Sequence, residues 1–223
     1  MLLPGGPVDA VIFDLDGVLA DSEVWWHEIR DDIAAGCGRA LLPADHEACV
    51  SLNSADWSTF LAQRLARPAV EIEEAVVGAL VARYRERPAP VIPGVIAAAR
   101  DLARGRKAAI ASGSHPAIIA AALAALEIVD LVEVIVSADE VPAGKPAPDV
   151  YLLAARRLGV EPARAVAIED SRNGVTAAHS AGMRVVLVPN GRIPPASGAR
   201  EAADLVVDHL SELALPAPGE GRT

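Results

Sequence analysis

The sequence predicts an α/β protein, a doubly wound parallel sheet with an inserted helical cap domain, and three observations lead there. From Lys107 onward, short β-rich apolar runs alternate with helical patterns in regular order, the signature of parallel strands joined by crossover helices. Near the start, Val8 to Phe13 is an apolar run suited to a central strand buried on both faces. Between that run and Lys107 lie many times the dozen or so residues that a crossover needs. Their pattern is helical up to the last turn before Lys107, so something separate is inserted after the first strand.

In chain order, Asp21 or Ser22 can cap a helix on which Trp25, Ile29 and Ile33 recur at helical spacing, and Gly36 and Gly38 end it. From there to about Pro88 two stripes continue the helical period: Trp57, Phe60, Leu61 and Leu65, then Ile72, Val76, Val77 and Leu80. The first stripe reads as cap interior rather than substrate contact. Residues 21–89 are therefore expected to form the cap, and residues 1–20 with 90–223 the α/β core. A further helix, Gly94 to Ala103, is framed by Pro93 and Gly105. Strands are expected at Ala108 to Ala111, Val132 to Val136, Ala165 to Ile168, Val185 to Val188 and Leu205 to Val207. Helices are expected between them at Pro116 to Leu126, Pro148 to Leu158 and Gly174 to Ala181, with Gly159 and Gly182 as C-terminal stops. Pro216 to Thr223 reads as a mobile tail.

Composition narrows the function. The chain has 223 residues, 52% hydrophobic and 22% charged, enough apolar content for a buried core. Its net charge of −10 argues against a sequence-independent nucleic-acid binder, which needs a basic face. Cys37 and Cys49 have neither zinc-site spacing nor the density of a disulfide scaffold, and read as free thiols in a reducing compartment. The first residues lack a basic start and a long apolar stretch, so no signal peptide is expected. The longest apolar run, Ala117 to Leu126, is too short to span a bilayer. A cytoplasmic protein without membrane or nucleic-acid partners is the expectation.

The chemistry centres on Asp14-Leu15-Asp16-Gly17 at the end of the first strand. Strand geometry puts Asp14 and Asp16 on one side, about 7 Å apart, at the strand end where open α/β sheets bind ligands. Their repulsion is relieved by a cation or by a retained proton. Mg²⁺ suits such carboxylates together with a substrate phosphate. Taken alone, Asp-x-Asp-Gly is equally compatible with an ordinary turn. Three further strand ends carry matching groups. Ser112-Gly113-Ser114-His115-Pro116 offers a hydroxyl and free amides before a helix, which cradles an oxyanion or simply makes a turn. Lys145, in Gly144-Lys145-Pro146-Ala147-Pro148-Asp149, is one of only two lysines, and a compact ammonium there could hold both a nucleophilic carboxylate and a phosphoryl group; a solvated surface lysine is the alternative. Glu169-Asp170-Ser171 repeats the acidic logic and could complete a metal site or cap a helix.

These four motifs, in this order and with a helical insert after the first, resemble the haloacid dehalogenase (HAD) superfamily, with its Rossmann-like core, and specifically its β-phosphoglucomutase-like phosphatases with a small helical cap. The likeness runs from about Val8 to Leu213. It implies that Asp14 is the nucleophile, forming an aspartyl-phosphate, and Asp16 the general acid/base. It further implies a Mg²⁺ held by Asp14, the Asp16 backbone carbonyl and Asp170, with Glu169 reaching it through water, and phosphoryl oxygens bound by Ser112, Gly113 and Lys145. The expected partner is a small phosphorylated metabolite, and the expected assembly a monomer or weak homodimer.

Within that resemblance the residues discriminate. A dehalogenase would not keep Asp16 and Asp170, and a phosphonate-cleaving relative needs a cap lysine that residues 21–90 lack. The phosphosugar mutases have a histidine where this chain has Trp26, with His27 one position along. Their cap arginine for a second phosphate falls at Ser51-Leu52-Asn53-Ser54, which offers only hydroxyls and an amide. The reading is thus a Mg²⁺-dependent phosphatase of a small phosphomonoester, a sugar or polyol phosphate. A mutase and a non-catalytic binding protein are the alternatives.

Overall fold

The computed structural model describes residues 1–50, 52–192 and 194–219. Six parallel strands make one sheet: β1 (Ala10–Phe13), β2 (Lys107–Ser112), β3 (Val134–Ser137), β4 (Ala165–Glu169), β5 (Arg184–Leu187) and β6 (Leu205–Val206). Their order is β3-β2-β1-β4-β5-β6, so the chain runs outward from β1 on one side and then resumes at β4 on the other. That reversal creates a crevice at the carboxyl ends of β1 and β4. Phe13 lies level with Ile110 and Ile168, so Asp14, Ser112 and Glu169 leave the sheet along one edge.

Strand alternation explains the two layers. Val11 and Phe13, with Ile110 and Ile168, face α5 (Val95–Ala103) and α6 (Pro116–Ala125), while Ala10 and Ile12 face α7 (Asp149–Leu158) and α8 (Arg172–Ser180). Both faces of β1 are buried, which is why its sequence is apolar without interruption.

Between β1 and α5 the described residues form only helices: α1 (Glu23–Gly36), α2 (Pro43–Glu47), α3 (Ser54–Leu65) and α4 (Ala69–Glu86). The two apolar stripes supply their shared interior, with Trp57, Leu61, Leu65, Ile72, Val76 and Leu80 buried, and α4 packs on α6 of the core. The chain leaves and re-enters the core side by side, the Asp21 N–H donating to the Pro90 carbonyl at 2.9 Å. Farther out, the Ser54 N–H and Oγ both donate to Asp139 at 2.7 Å, and Asn173 Nδ2 donates to the Val50 carbonyl. The insert is thus fastened at its root and at its far side.

The short helices α2 and α9 (Ala199–Ala202) were not expected, being too brief to show a period. The expected mobile tail is corrected for its first half. The carbonyl of Pro216 accepts from Arg106 at 2.9 Å and the Gly219 N–H donates to Asp9 at 2.9 Å, so Pro216–Gly219 is tied beneath the sheet. Glu220–Thr223 lie outside the described residues. No helix among the described residues is long and apolar enough to cross a membrane, and both cysteines are free thiols.

Candidate active site

Asp14 is delivered by β1 into a buried position, its N–H bonded to the Ile168 carbonyl at 2.9 Å. Lys145, 1% exposed, reaches it from the loop before α7, with Nζ 2.6 Å from Asp14 Oδ1 and 2.5 Å from Glu169 Oε1. Burial works against the ammonium charge, but the carboxylates of Asp14 and Glu169 overcome it and hold the Lys145 pKa above its ordinary value. The surface-lysine alternative is excluded by this geometry.

Glu169 is saturated. Its Oε1 accepts from Lys145 and from the Tyr151 hydroxyl at 2.6 Å, and its Oε2 from the Asp170 N–H and from the Ser171 N–H and Oγ. A carboxylate has about four lone-pair sites, and five donors occupy these. Gly174 makes that crowding possible: a Cβ there would stand 1.8 Å from the Glu169 carboxylate carbon. Gly17 plays the same part for Asp170, since its φ of +84° suits glycine and a Cβ would stand 1.8 Å from Asp170 Oδ2.

Oxygens of Asp14, Glu169 and Asp170 lie within 4.8 Å of one another. Three buried carboxylates therefore share one ammonium at the edge of a small cavity. Burial pushes Asp14 up to about 8 against the pull of Lys145, with Glu169 and Asp16 adding to the rise; burial and the charges of Glu169 and Asp14 likewise raise Asp170 well above the usual carboxylate range. All-oxygen donors, clustered, buried and short of positive charge, fit a hard divalent cation.

Asp16 lines the same small cavity as Asp14 and Asp170, and three donors hold its carboxylate. Its Oδ1 accepts from Ser22 Oγ at 2.5 Å and from Trp26 Nε1 at 3.1 Å, and its Oδ2 from Ser114 Oγ at 2.6 Å. Ser22 and Trp26 belong to the start of α1, whereas Ser114 belongs to the loop after β2. The Trp26 indole thus reaches Asp16 from the insert side of the cavity.

Of the expected anion cradle, Gly113 lines the cavity beside Asp14, Asp16 and Asp170 and is joined there by Ser114, while the buried Ser112 hydroxyl accepts from the Ser114 N–H at 3.0 Å. His115 Nδ1 accepts from the Ala117 N–H and caps α6. The cavity itself is small, about 40 Å³. A neighbouring cleft of about 530 Å³ shares Glu23, Val50 and Asp170 with it and opens between α1 and α8. Another groove, about 890 Å³, lies beyond the β5 end around Asn190, Arg192 and His209, away from Asp14, Glu169 and Asp170.

One expectation about the insert is corrected: Trp57 is buried in its interior as predicted, yet also lines the cavity. In the segment expected to lack the mutases' arginine, Leu52 lines the cavity, Ser54 is committed to Asp139, Asn53 caps α3 and Ser51 lies outside the described residues; Arg30 lines the cavity from α1. Ser114, Tyr151, Glu23 and Arg30 were missed. Trp26 and Arg30 stand four apart, a spacing that puts both on one helix face and was legible.

The fold and site define a class first: a Rossmann-like α/β enzyme core whose strand ends gather an aspartate, a lysine and an acidic pair beneath a helical insert. The chain belongs to the family described as haloacid dehalogenase-like hydrolase, whose model matches residues 8–182. Hexitol phosphatase B of Escherichia coli (strain K12) is 34% identical over 187 residues, covering 81% of this chain and 83% of that one. Fructose-1-phosphate phosphatase YqaB of the same strain is 33% identical over 189 residues, covering 79% and 94%. A crystal structure of β-phosphoglucomutase from Clostridium difficile superposes with a TM-score of 0.80 at 25% identity, covering 93% of each chain.

Proposed function

We propose that the protein is a cytoplasmic, Mg²⁺-dependent phosphatase of a small phosphorylated sugar or polyol, acting as a monomer or weak homodimer, with residues 21–89 as a cap over a core of residues 1–20 and 90–223. The observation that carries this reading is the buried set of three carboxylates sharing the single ammonium of Lys145. The hydrolase family and the two phosphatase relatives support the reaction type.

In this reading Asp14 attacks phosphorus, breaking the ester P–O bond and forming an aspartyl-phosphate. Asp16 donates a proton to the departing alkoxide and then takes one from the water that cleaves the intermediate. Lys145 holds Asp14 in place and balances charge on the phosphoryl group, whose oxygens are received by the Gly113 N–H and by the Ser112 hydroxyl, which accepts from the Ser114 N–H and keeps its own proton to donate. Asp14, Asp170 and the Asp16 carbonyl would hold Mg²⁺, with the Glu169 carboxylate, its oxygens occupied by five donors, adding negative charge beside them. When bound, the ion neutralises the gathered negative charge and polarises the phosphoryl oxygens. Trp26, bonded to Asp16, leaves no histidine there to serve a bisphosphate-primed transfer.

The test is phosphate release from a panel of sugar, polyol and nucleotide monophosphates, with Mg²⁺ and with EDTA, while isomerised sugar phosphate is followed in parallel. Metal-dependent release is expected. The structural likeness to β-phosphoglucomutase favours one alternative, and bisphosphate-primed isomerisation of glucose 1-phosphate exceeding hydrolysis would establish it. Asp14→Asn is expected to abolish turnover, whereas a non-catalytic binding protein would keep its ligand-dependent function in that variant.

A further inference from the structure

The loop between β3 and α7 touches both the insert and the wall of the cavity. On the insert side, Asp139 Oδ1 accepts from the Ser54 N–H and Oδ2 from the Ser54 hydroxyl, both at 2.7 Å. Ser54 is the first residue of α3 and 2% exposed, so this two-point grip fixes where α3 begins. On the cavity side, the Ser137 hydroxyl donates to the Ser114 carbonyl at 2.7 Å, and the Asp139 N–H donates to that same hydroxyl at 3.1 Å. Ser114 gives its own hydroxyl proton to Asp16 Oδ2 at 2.6 Å. Ser54, Asp139, Ser137, Ser114 and Asp16 thus form one unbroken run from the insert to the carboxylate.

Proton counting gives the run its direction. A serine hydroxyl has one proton and two acceptor sites. With the Asp139 N–H on its oxygen, the Ser137 proton is directed at the Ser114 carbonyl. Ser114 is then fixed at both backbone groups, its carbonyl by Ser137 and its N–H by the Ser112 hydroxyl, and its side chain is left aimed at Asp16. Ser137 is also held from the core, its N–H donating to Glu140 Oε1 at 2.9 Å. Both Ser137 and Ser114 are buried, so a partner removed there leaves an unpaired polar group rather than one returned to bulk water. Lys145, later in the same loop, is anchored separately by Asp14 and Glu169.

We propose that Ser137 and Asp139 are positioning residues for proton transfer by Asp16: together they carry the docking of α3 to Ser114 and so fix the orientation of the Asp16 carboxylate. The inference rests on the phosphatase reading and adds to it two residues outside the cavity lining.

Two aryl esters test it. Phenyl phosphate and p-nitrophenyl phosphate present the same phosphoryl group on nearly the same ring. Phenoxide is the more basic leaving group and needs the proton that Asp16 supplies, whereas nitrophenoxide departs largely unaided. In kcat/KM, which reports the steps up to loss of the leaving group, Ser137→Ala and Asp139→Ala are each expected to slow phenyl phosphate about tenfold and p-nitrophenyl phosphate less than about threefold, the scale of one charge-assisted bond. Asp139→Asn, which keeps one oxygen for the Ser54 N–H, should restore part of the phenyl phosphate rate. Ser137→Ala combined with Asp139→Ala should be no more selective than Ser137→Ala alone, since both interrupt one run. Should Ser137→Ala fail to fold, Asp139→Ala, at an exposed position, and Ser54→Ala carry the same comparison. Should the wild type take only sugar phosphates, acetyl phosphate, whose acetate also leaves unaided, is set against the sugar phosphate instead. Equal losses on the two esters, the mark of a structural role alone, or unchanged rates on both overturn the assignment. No hydrolysis of any of these esters by the wild type defeats the phosphatase reading itself, a pattern distinct from hydrolysis that the substitutions slow without selectivity.

Discussion

Gly17→Ala isolates the placement of Asp170. The substituted Cβ would stand 1.8 Å from Asp170 Oδ2 and 2.5 Å from its Cγ, where ordinary contact begins at 3.4 Å. Asp170 must therefore retreat by roughly 1.5 Å, and displacements of about 1 Å in a catalytic constellation cost on the order of a hundredfold in rate. The backbone adds strain, since φ of +84° costs an L-residue roughly 1–2 kcal/mol. Phosphate release at saturating Mg²⁺ is expected to fall about a hundredfold, the half-saturating Mg²⁺ concentration to rise, and urea unfolding to report a loss of about 1–3 kcal/mol. Gly78→Ala is the control: it lies in α4 with nothing within 4 Å of its Cβ, so it should keep wild-type turnover and gain up to about 1 kcal/mol. Wild-type turnover and Mg²⁺ dependence in Gly17→Ala would refute the idea that Asp170 must sit against the Asp14 loop to hold a metal.

Lys145→Met leaves three buried carboxylates without their ammonium; urea unfolding at pH 7 should show a loss of about 3–5 kcal/mol, and turnover should drop by about a thousandfold or more. For the metal-free protein, the raised pKa values of Asp14, about 8, and of Asp170 mean that the folded state binds more protons than the unfolded one above pH 4. Its melting temperature should therefore fall as pH rises toward 8, and added Mg²⁺ should restore most at the alkaline end; a flat pH profile would contradict this. His27 is held down to about 4 by burial, then by His46, against which it stacks at 4.3 Å, and by Arg30, with Asp31 opposing. The fold thus favours its neutral form, a contribution complete above pH 6.5 and lost as pH falls toward 4. His27→Gln should flatten acid destabilisation by on the order of 1 kcal/mol, as read from melting between pH 7 and 4.5.

The acidic edge of the sheet was legible because strand ends are local. Asp14, Asp16, Glu169 and Asp170 follow apolar runs directly, and Lys145 stands out in a chain otherwise rich in arginine. What escaped depends on contacts distant in sequence. Tyr151 looked like one more core position of α7, and only the approach of β4 makes its hydroxyl a partner of Glu169. Ser114 escaped because its role rests on Asp16, 98 residues away, to which its hydroxyl donates, while its N–H is held by Ser112. Ser54 looked available until Asp139, 85 residues away, was seen to occupy it. Arg30 was hidden for the opposite reason: a charged residue on an amphipathic helix reads as surface, and the docking of the insert reverses that.

The three donors to Asp16 divide between two bodies of the molecule. Ser22 and Trp26 come from the segment after β1 and Ser114 from the loop after β2, so this carboxylate is anchored from both sides of the crevice. Its orientation is therefore a joint property of the insert and the sheet: removing a donor on either side leaves the carboxylate freer to turn about its own side-chain bonds.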